Sequence, residues 1–117
     1  MTQHFVLDKA LILDRLGGDE EIFAMMVDLY LQDVDNYVQA LSSALDSANS
    51  AVLSREAHTV KGLLATFSDD AGAETAFTIE RQAKAGDLSG LQTLVAQLQE
   101  NLQVLATVLR SEVSPAG

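Results

Sequence analysis

The sequence predicts an all-α protein, an antiparallel up-and-down four-helix bundle with a short additional N-terminal helix. Apolar residues recur at helical spacing through four long stretches, and short turns separate these stretches. No segment combines strand-like alternation with turn signals, and short connections make consecutive helices antiparallel neighbours. The 117 residues, 48% of them hydrophobic, suffice for one core. We therefore expect a single domain over residues 1–117, with residues 1–6 and 114–117 as tails.

The short first helix is predicted from the residues at its two ends. Asp8 can cap it by accepting a hydrogen bond from the first turn, and we expect the helix to run through about Arg15. The pair Gly17-Gly18 ends it, because glycine is a poor helix former. Its expected apolar contacts are Ala10, Leu11 and Leu13.

A long helix is predicted from Asp19 to about Ala48. Ile22, Met25 and Leu29 widen its apolar face near the start. This extra surface has two readings, contact with the short first helix or a docking patch for a partner. The inward residues are Phe23, Met26, Tyr30, Val34, Tyr37, Leu41 and Leu45.

A third helix is predicted over residues 50–67. At about 100° per residue, His58 lies roughly 140° from the middle of the apolar stripe and therefore points outward. Lys61 and Gly62 share that outer surface. The inward residues are Leu53, Ala57, Val60, Leu64 and Phe67.

Two further helices complete the predicted bundle. Ser68 is expected to cap a helix that runs to about Ala85 and ends at Gly86, and Asp87 is expected to cap the last helix. The inward residues are Ala73, Ala76, Ile79, Ala83 and, as a further candidate, Phe77, followed in the last helix by Leu91, Leu94, Leu98, Leu102, Leu105 and Leu109.

The composition argues against several classes of function. The formal net charge is −10 at pH 7, which disfavours nucleic acids and anionic membrane surfaces because both are negatively charged. The chain has no cysteine, so disulfides and thiolate metal sites are excluded. No apolar run reaches the length of a membrane span, and the first residues lack a signal-peptide pattern. We expect a cytoplasmic protein.

The surroundings of His58 suggest that another protein reaches it. Gly62 lies one turn later and bares the helix, although a mid-helix glycine costs about 1 kcal/mol relative to alanine. Basic residues cluster in this part of the chain, and Lys61 is one of them. An outward imidazole beside a bare turn and an ammonium group suits a functional site. The alternatives are an ordinary surface histidine and simple salt pairing of the basic side chains.

Phosphoryl acceptance is the chemistry that fits His58 best. The sequence has no Gly-x-Ser-x-Gly motif, no Glu-x-x-His pair for a metal site and no Gly-x-x-x-x-Gly-Lys nucleotide loop. A neutral imidazole is a nucleophile, and the unperturbed ring titrates at about pH 6.5. The Lys61 ammonium would favour the neutral ring and pair with a phosphoryl group. Without a nucleotide loop, the chain is not expected to act as a kinase on its own.

Three segments resemble the histidine-containing phosphotransfer (HPt) domain family of bacterial phosphorelays. The sequence AHTVKG at residues 57–62 resembles the His-x-x-Lys-Gly signature. The sequence LGGDEEI at residues 16–22 resembles the opening Leu-Gly-Gly-Asp-x-Glu-Leu, and residues 79–80 and 83–88 resemble the Leu-Glu and Ala-Arg-x-Gly-Asp-Leu segment. The resemblance spans about residues 5–112. The three segments stand at family spacing, which makes the combined signal strong.

The resemblance implies roles for five residues. His58 would accept a phosphoryl group from a receiver-domain aspartate, through Nε2, and pass it to another receiver. Lys61 matches the basic residue beside the histidine, and Gly62 matches the glycine that leaves room for the receiver. Glu80 falls where the family often has Gln or Glu facing the histidine, and Lys84 matches a basic position on the same face.

The resemblance also implies partners and an absence of cofactors. Receiver domains of response regulators or hybrid histidine kinases would dock on an apolar patch, with Ile22 and Met26 as candidates. Mg²⁺ would belong to the receiver, so the chain needs no cofactor or metal, and we expect a monomer. The alternative function is a helical module that binds receivers without transferring phosphate.

The sequence departs from the family pattern after the third helix. Ser68-Asp69 stands where the family usually has Gly-Ala, Gly72 replaces a leucine, and Leu63 replaces a small residue. These departures leave the start of the next helix open and add negative charge near the turn. They do not affect the signature residues of the third helix.

Overall fold

The computed structural model describes residues 5–113, which form five α-helices and no β-strand. The predicted all-helical fold with a short first helix is therefore confirmed. The predicted tails were residues 1–6 and 114–117, and of these residues 1–4 and 114–117 lie outside the described residues. Phe5, which was expected in the first tail, is partly buried against the core. The helices are α1 (Lys9–Arg15), α2 (Glu20–Asp46), α3 (Ser50–Thr66), α4 (Asp70–Lys84) and α5 (Leu91–Val113).

The four long helices surround one apolar core. Helix α2 packs against α3 and α5, helix α4 also packs against α3 and α5, and α1 contacts α2. Near the centre, the Tyr30 hydroxyl donates a 2.8 Å hydrogen bond to the Leu102 carbonyl. The Tyr30 ring meets Phe67 edge-on with a centroid separation of 5.5 Å. Within residues 5–113, no helix is both long enough and apolar enough to cross a membrane.

Most predicted core positions are confirmed. All five inward residues predicted for the third helix are buried, and five of the six inward leucines of α5 are buried, with Leu94 half-buried. In α1 the buried residue is Ile12, whereas Ala10 and Leu11 are exposed. The assignment of Phe77 to the core was wrong: the residue is 43% exposed. Ala76 and Ile79 define the buried face of α4, and Phe77 is turned about 100° away from Ala76.

The helix starts show which caps were predicted correctly. Asp8 caps α1 as predicted, by accepting a hydrogen bond from the Leu11 N–H. Asp19, the predicted start of the long helix, is its N-cap, and α2 begins at Glu20. Ser68 does not cap α4; its φ is +62°, and Asp69 is the cap. Asp87 does not cap α5 either. It accepts a hydrogen bond from the N–H of Ser89, so it closes a turn and α5 begins at Leu91.

The start of α4 is buried and polar. The Asp69 carboxylate accepts a 3.0 Å hydrogen bond from the Gly72 N–H, and Asp69 and Asn101 are only 7% and 3% exposed. A Cβ atom on Gly72 would lie 2.6 Å from Asp69 Oδ2 and 3.0 Å from Asn101 Nδ2. The glycine that replaces the usual leucine is therefore required by its two polar neighbours. Burial raises the pKa of the Asp69 carboxyl, although the Gly72 N–H partly opposes this shift.

Candidate functional site

His58 lies on the outer surface of α3, as the helical spacing predicts. Its neighbours Ala57 and Val60 are fully buried, which fixes the rotation of the helix about its axis. The His58 side chain is consequently 66% exposed. The imidazole is accessible to another protein without any rearrangement of α3.

Glu80 of α4 connects His58 with Lys61. One carboxylate oxygen of Glu80, Oε2, lies 2.9 Å from His58 Nδ1. The other oxygen, Oε1, accepts a 2.8 Å hydrogen bond from Lys61 Nζ. The Ser54 hydroxyl also donates to the Glu80 backbone carbonyl at 3.2 Å, which ties α3 to this turn of α4. The structure thus brings together three of the predicted site residues.

The charge state of Glu80 determines which nitrogen of His58 is reactive. The hydrogen bond from Lys61 has the largest effect on the Glu80 carboxyl and lowers its pKa. Desolvation raises the pKa by a smaller amount, and the hydrogen bond from His58 lowers it further, so the pKa is lowered overall. Glu80 is therefore ionised at neutral pH and can only accept hydrogen bonds. Nδ1 of a neutral His58 must carry the ring proton, so Nε2 holds the free lone pair.

Lys84 lies on the same face, beside the histidine. It is exposed and lines a surface pocket of about 420 Å³ together with His58, Glu80 and Arg55. Two cationic side chains therefore border the imidazole on the side away from Lys61. The structure thus places Lys84 and His58 at one pocket, and it adds Arg55, which sequence reasoning did not single out as a site residue.

Gly62 leaves open space beside the histidine. Apart from the nearby backbone of its own helix, no atom lies within 4 Å of the position that a Cβ on Gly62 would occupy. Gly62 lines a pocket of about 340 Å³ that also contains Met26 of α2 and Leu16. One docking candidate, Met26, is thus next to the bare turn. The other candidate, Ile22, is exposed one turn earlier on α2 and does not line this pocket.

The apolar surface near the start of α2 is not covered by α1. Met25 and Leu29 are 59% and 54% exposed, so contact with the first helix does not account for them. Leu29 and Met26 border a further pocket, of about 290 Å³, that reaches Leu63 on α3 and Phe67, the residue directly after α3. The exposed apolar side chains of α2 and the bare turn of α3 therefore lie on neighbouring surfaces.

Phe77, which the sequence pattern assigned to the core, lies instead on the surface against Lys61. Its ring centroid lies 4.9 Å from Lys61 Nζ and 5.4 Å from the Arg81 guanidinium carbon. No spacing rule within one helix reveals a contact between an aromatic ring of α4 and a lysine of α3. Within residues 5–113, no three His, Cys, Asp or Glu side chains converge as metal ligands.

Comparison with known proteins identifies the family. The family model described as "Hpt domain" matches residues 25–108, which is most of the chain. Comparison with curated protein sequences finds no significant match.

Two solved structures share the fold. Histidine-containing phosphotransfer protein B (HptB) from Pseudomonas aeruginosa PAO1 superposes with a TM-score of 0.81 at 20% identity, covering 91% of this chain and 92% of that chain. The HPT domain of a sensor hybrid histidine kinase from Shewanella gives a TM-score of 0.77 at 17% identity, covering 93% and 97%. This chain belongs to the Hpt domain family and has a histidine phosphotransfer role in a phosphorelay.

Proposed function

We propose that His58 is the residue that accepts the phosphoryl group from a receiver-domain aspartate and passes it to another receiver. The observation that carries this proposal is the hydrogen bond between His58 Nδ1 and the Glu80 carboxylate. It leaves Nε2 as the nucleophile on a side chain that is mostly exposed. Hpt domains are phosphocarriers rather than kinases, and we infer no autonomous kinase activity for this chain.

The transfer step requires no proton movement on His58. Nε2 attacks the phosphorus of the aspartyl phosphate, and a P–N bond forms while the P–O bond to the aspartate breaks. The electron pair of that P–O bond leaves with the aspartate carboxylate. Nδ1 keeps its proton, so the phosphorylated ring is cationic, and the Glu80 carboxylate at 2.9 Å stabilises the positive charge. In the reverse direction the same bonds break and form.

Lys61, Gly62 and Lys84 complete the proposed site. The Lys61 ammonium has three donors and uses one on Glu80, so others are available to phosphoryl oxygens. Phosphoryl transfer depends mainly on positioning and charge neutralisation, and Lys84 adds positive charge beside the ring. Gly62 admits the partner because its surface is open.

Receiver domains are the proposed partners, and the apolar surface of α2 is the proposed docking region. Ile22 and Met26 remain the candidates, and the exposure of Met25 and Leu29 extends the surface. The receiver would hold Mg²⁺ and the aspartate, so we propose that this chain requires no cofactor of its own.

We also propose an antiparallel up-and-down four-helix bundle that acts as a single monomeric domain over residues 1–117 in the cytoplasm. The short connections between the long helices support the antiparallel arrangement. The packing of each long helix against two others supports one shared core. Analytical ultracentrifugation would test the monomeric state.

The function is tested by phosphoryl transfer from a receiver. The purified chain is mixed with a phosphorylated receiver domain, and protein-bound phosphate that is acid-labile and base-stable is followed. We expect label on the wild type and none on His58→Gln. Equal label on both proteins would contradict the assignment of His58.

The same experiment separates the alternative function. A module that only binds receivers would form a complex without acquiring label. Binding of the receiver by the wild type, measured by calorimetry, combined with no detectable phosphohistidine would support that alternative over phosphotransfer.

A further inference from the structure

Phe77 is an exposed aromatic ring with two cations over it. Its side chain is 43% exposed, which is unusual for phenylalanine. Lys61 Nζ lies 4.9 Å and the Arg81 guanidinium carbon 5.4 Å from the ring centroid. Both distances fall within the range of favourable cation–π contact. The ring therefore interacts with charge on the surface instead of filling the core.

Lys61 is consequently held by two groups of α4. Phe77 precedes Glu80 by three residues, so the ring and the carboxylate lie on one side of that helix. The ammonium is 2.8 Å from Glu80 Oε1 and 4.9 Å from the Phe77 ring centroid. A lysine side chain is long and flexible, and the Lys61–Glu80 ion pair, which is only partly buried, is a single point of attachment. The aromatic face supplies a second restraint.

The position of Lys61 matters for the whole site. Lys61 binds Glu80, and Glu80 binds Nδ1 of His58. Displacement of the Lys61 ammonium would leave the Glu80 carboxylate less well fixed and so weaken its hydrogen bond to the His58 imidazole. It would also remove a positive charge from the place where the phosphoryl group arrives. Phe77 lines a pocket with Lys61 and Arg81 and does not line the pocket that His58 borders, so we expect its influence to pass through Lys61.

We propose that Phe77 is a positioning residue that holds the Lys61 ammonium against Glu80 during phosphoryl transfer. The inference rests on the proposed function of His58. Phe77 lies outside the His-x-x-Lys-Gly motif, and the inference gives this exposed side chain a role in the rate of phosphoryl transfer.

Two substitutions of Phe77 test the role of the aromatic face. Phe77→Leu keeps an apolar side chain but removes the π-system, and Phe77→Tyr keeps the ring. We expect Phe77→Leu to slow transfer from a saturating phosphorylated receiver by about two- to fivefold, the effect of losing one exposed cation–π contact. Phe77→Tyr should retain the wild-type rate. Receiver affinity, measured separately by calorimetry, should not change.

A double-mutant cycle with Lys61 provides the matched control. In the Lys61→Met background, Phe77→Leu should cause no further loss of rate, because the cation is already absent. An equal loss in both backgrounds would overturn the proposal. So would a loss confined to receiver affinity, since Phe77 would then be a docking residue.

A readout without phosphate distinguishes failure of this inference from failure of the proposed function. The ring should shift the NMR signals of the Lys61 ε-methylene, and Phe77→Leu should abolish this shift while Phe77→Tyr keeps it. A wild type that acquires no phosphohistidine contradicts the function of His58. A wild type that transfers normally while Phe77→Leu matches its rate contradicts only the role of Phe77.

Discussion

Two glycines inside helices, on either side of the turn between α3 and α4, have opposite surroundings. Gly62 of α3 faces open space, because no atom beyond its own helix backbone lies within 4 Å of where a Cβ would stand, whereas Gly72 of α4 is enclosed by Asp69 and Asn101. Each glycine weakens its helix by about 1 kcal/mol relative to alanine. At Gly72 the absence of a side chain makes room for buried neighbours, and at Gly62 it makes room for a partner.

The carboxylates of the two regions differ in the same way. Glu80, near Gly62, has a lowered pKa because Lys61 and His58 donate hydrogen bonds to it. Asp69, beside Gly72, has a raised pKa because burial disfavours its charged form. The surroundings of Glu80, at the proposed site, favour the ionised carboxylate, whereas the buried surroundings of Asp69 disfavour it. The contrast between a functional and a structural region can therefore be tested by substitution and by pH.

The largest expected effect is a loss of stability in Gly72→Ala. The new Cβ would displace the Asp69 carboxylate from its 3.0 Å bond to the backbone N–H. Overpacking costs about 1–3 kcal/mol and a lost cap about 1 kcal/mol, against a gain of about 1 kcal/mol in helix propensity. We expect the free energy of unfolding, measured by urea denaturation, to fall by about 2 kcal/mol.

Gly62→Ala is the matched control for that substitution. The position is open, so only the gain in helix propensity applies, and we expect stabilisation by up to about 1 kcal/mol. The two alanine variants should thus change stability in opposite directions. If both are stabilised, the contact between Gly72 and its polar neighbours is not restrictive.

The second effect is on the rate of transfer in Gly62→Gln. The long side chain would occupy the open surface beside His58 and misplace the receiver, and small misplacements reduce rates by about tenfold or more. Single-turnover transfer from a phosphorylated receiver measures this effect. The thermal unfolding midpoint should not fall, and an unchanged rate would mean that the receiver does not approach over this turn.

The third effect, in Tyr30→Phe, concerns stability alone. This substitution removes the 2.8 Å hydrogen bond from the Tyr30 hydroxyl to the Leu102 carbonyl but keeps the ring. We expect a loss of about 1 kcal/mol in the free energy of unfolding, the typical net contribution of such a bond. The transfer rate should stay at the wild-type value, since the bond lies in the core between α2 and α5. A reduced rate would show that the core and the proposed site are coupled.

The smallest effect is a change in pH dependence in Asp69→Asn. Because burial raises the pKa of Asp69 in the folded state, its favourable contribution is fully present below the unfolded pKa and is lost as pH rises through the folded pKa. Asparagine also caps helices, so the variant should gain stability relative to the wild type between about pH 4 and pH 7. A pH profile of Asp69→Asn that runs parallel to that of the wild type would contradict the raised pKa.

Much of the site could be predicted from the chain because it lies on one helix. His58, Lys61 and Gly62 are separated by three and four residues, and that spacing places them on one outer surface of α3 whatever α3 packs against. The starts of α4 and α5 were less predictable. Ser and Asp side chains can either cap a helix or close a turn, so several neighbouring residues satisfy the same capping rules. Phe77 was misplaced because a short apolar pattern in an alanine-rich helix does not define its buried face.

The sequence by itself determined the helical class, the number and approximate places of the helices and the outward position of His58, since periodicity and turn residues act within short stretches of chain. Only the tertiary structure decided that Glu80 bridges His58 and Lys61, that Phe77 lies against Lys61, and that Gly72 is enclosed by Asp69 and Asn101. These contacts join residues on different helices. Their geometry depends on how the helices are rotated and offset against one another, and that is set by the packing of the whole core.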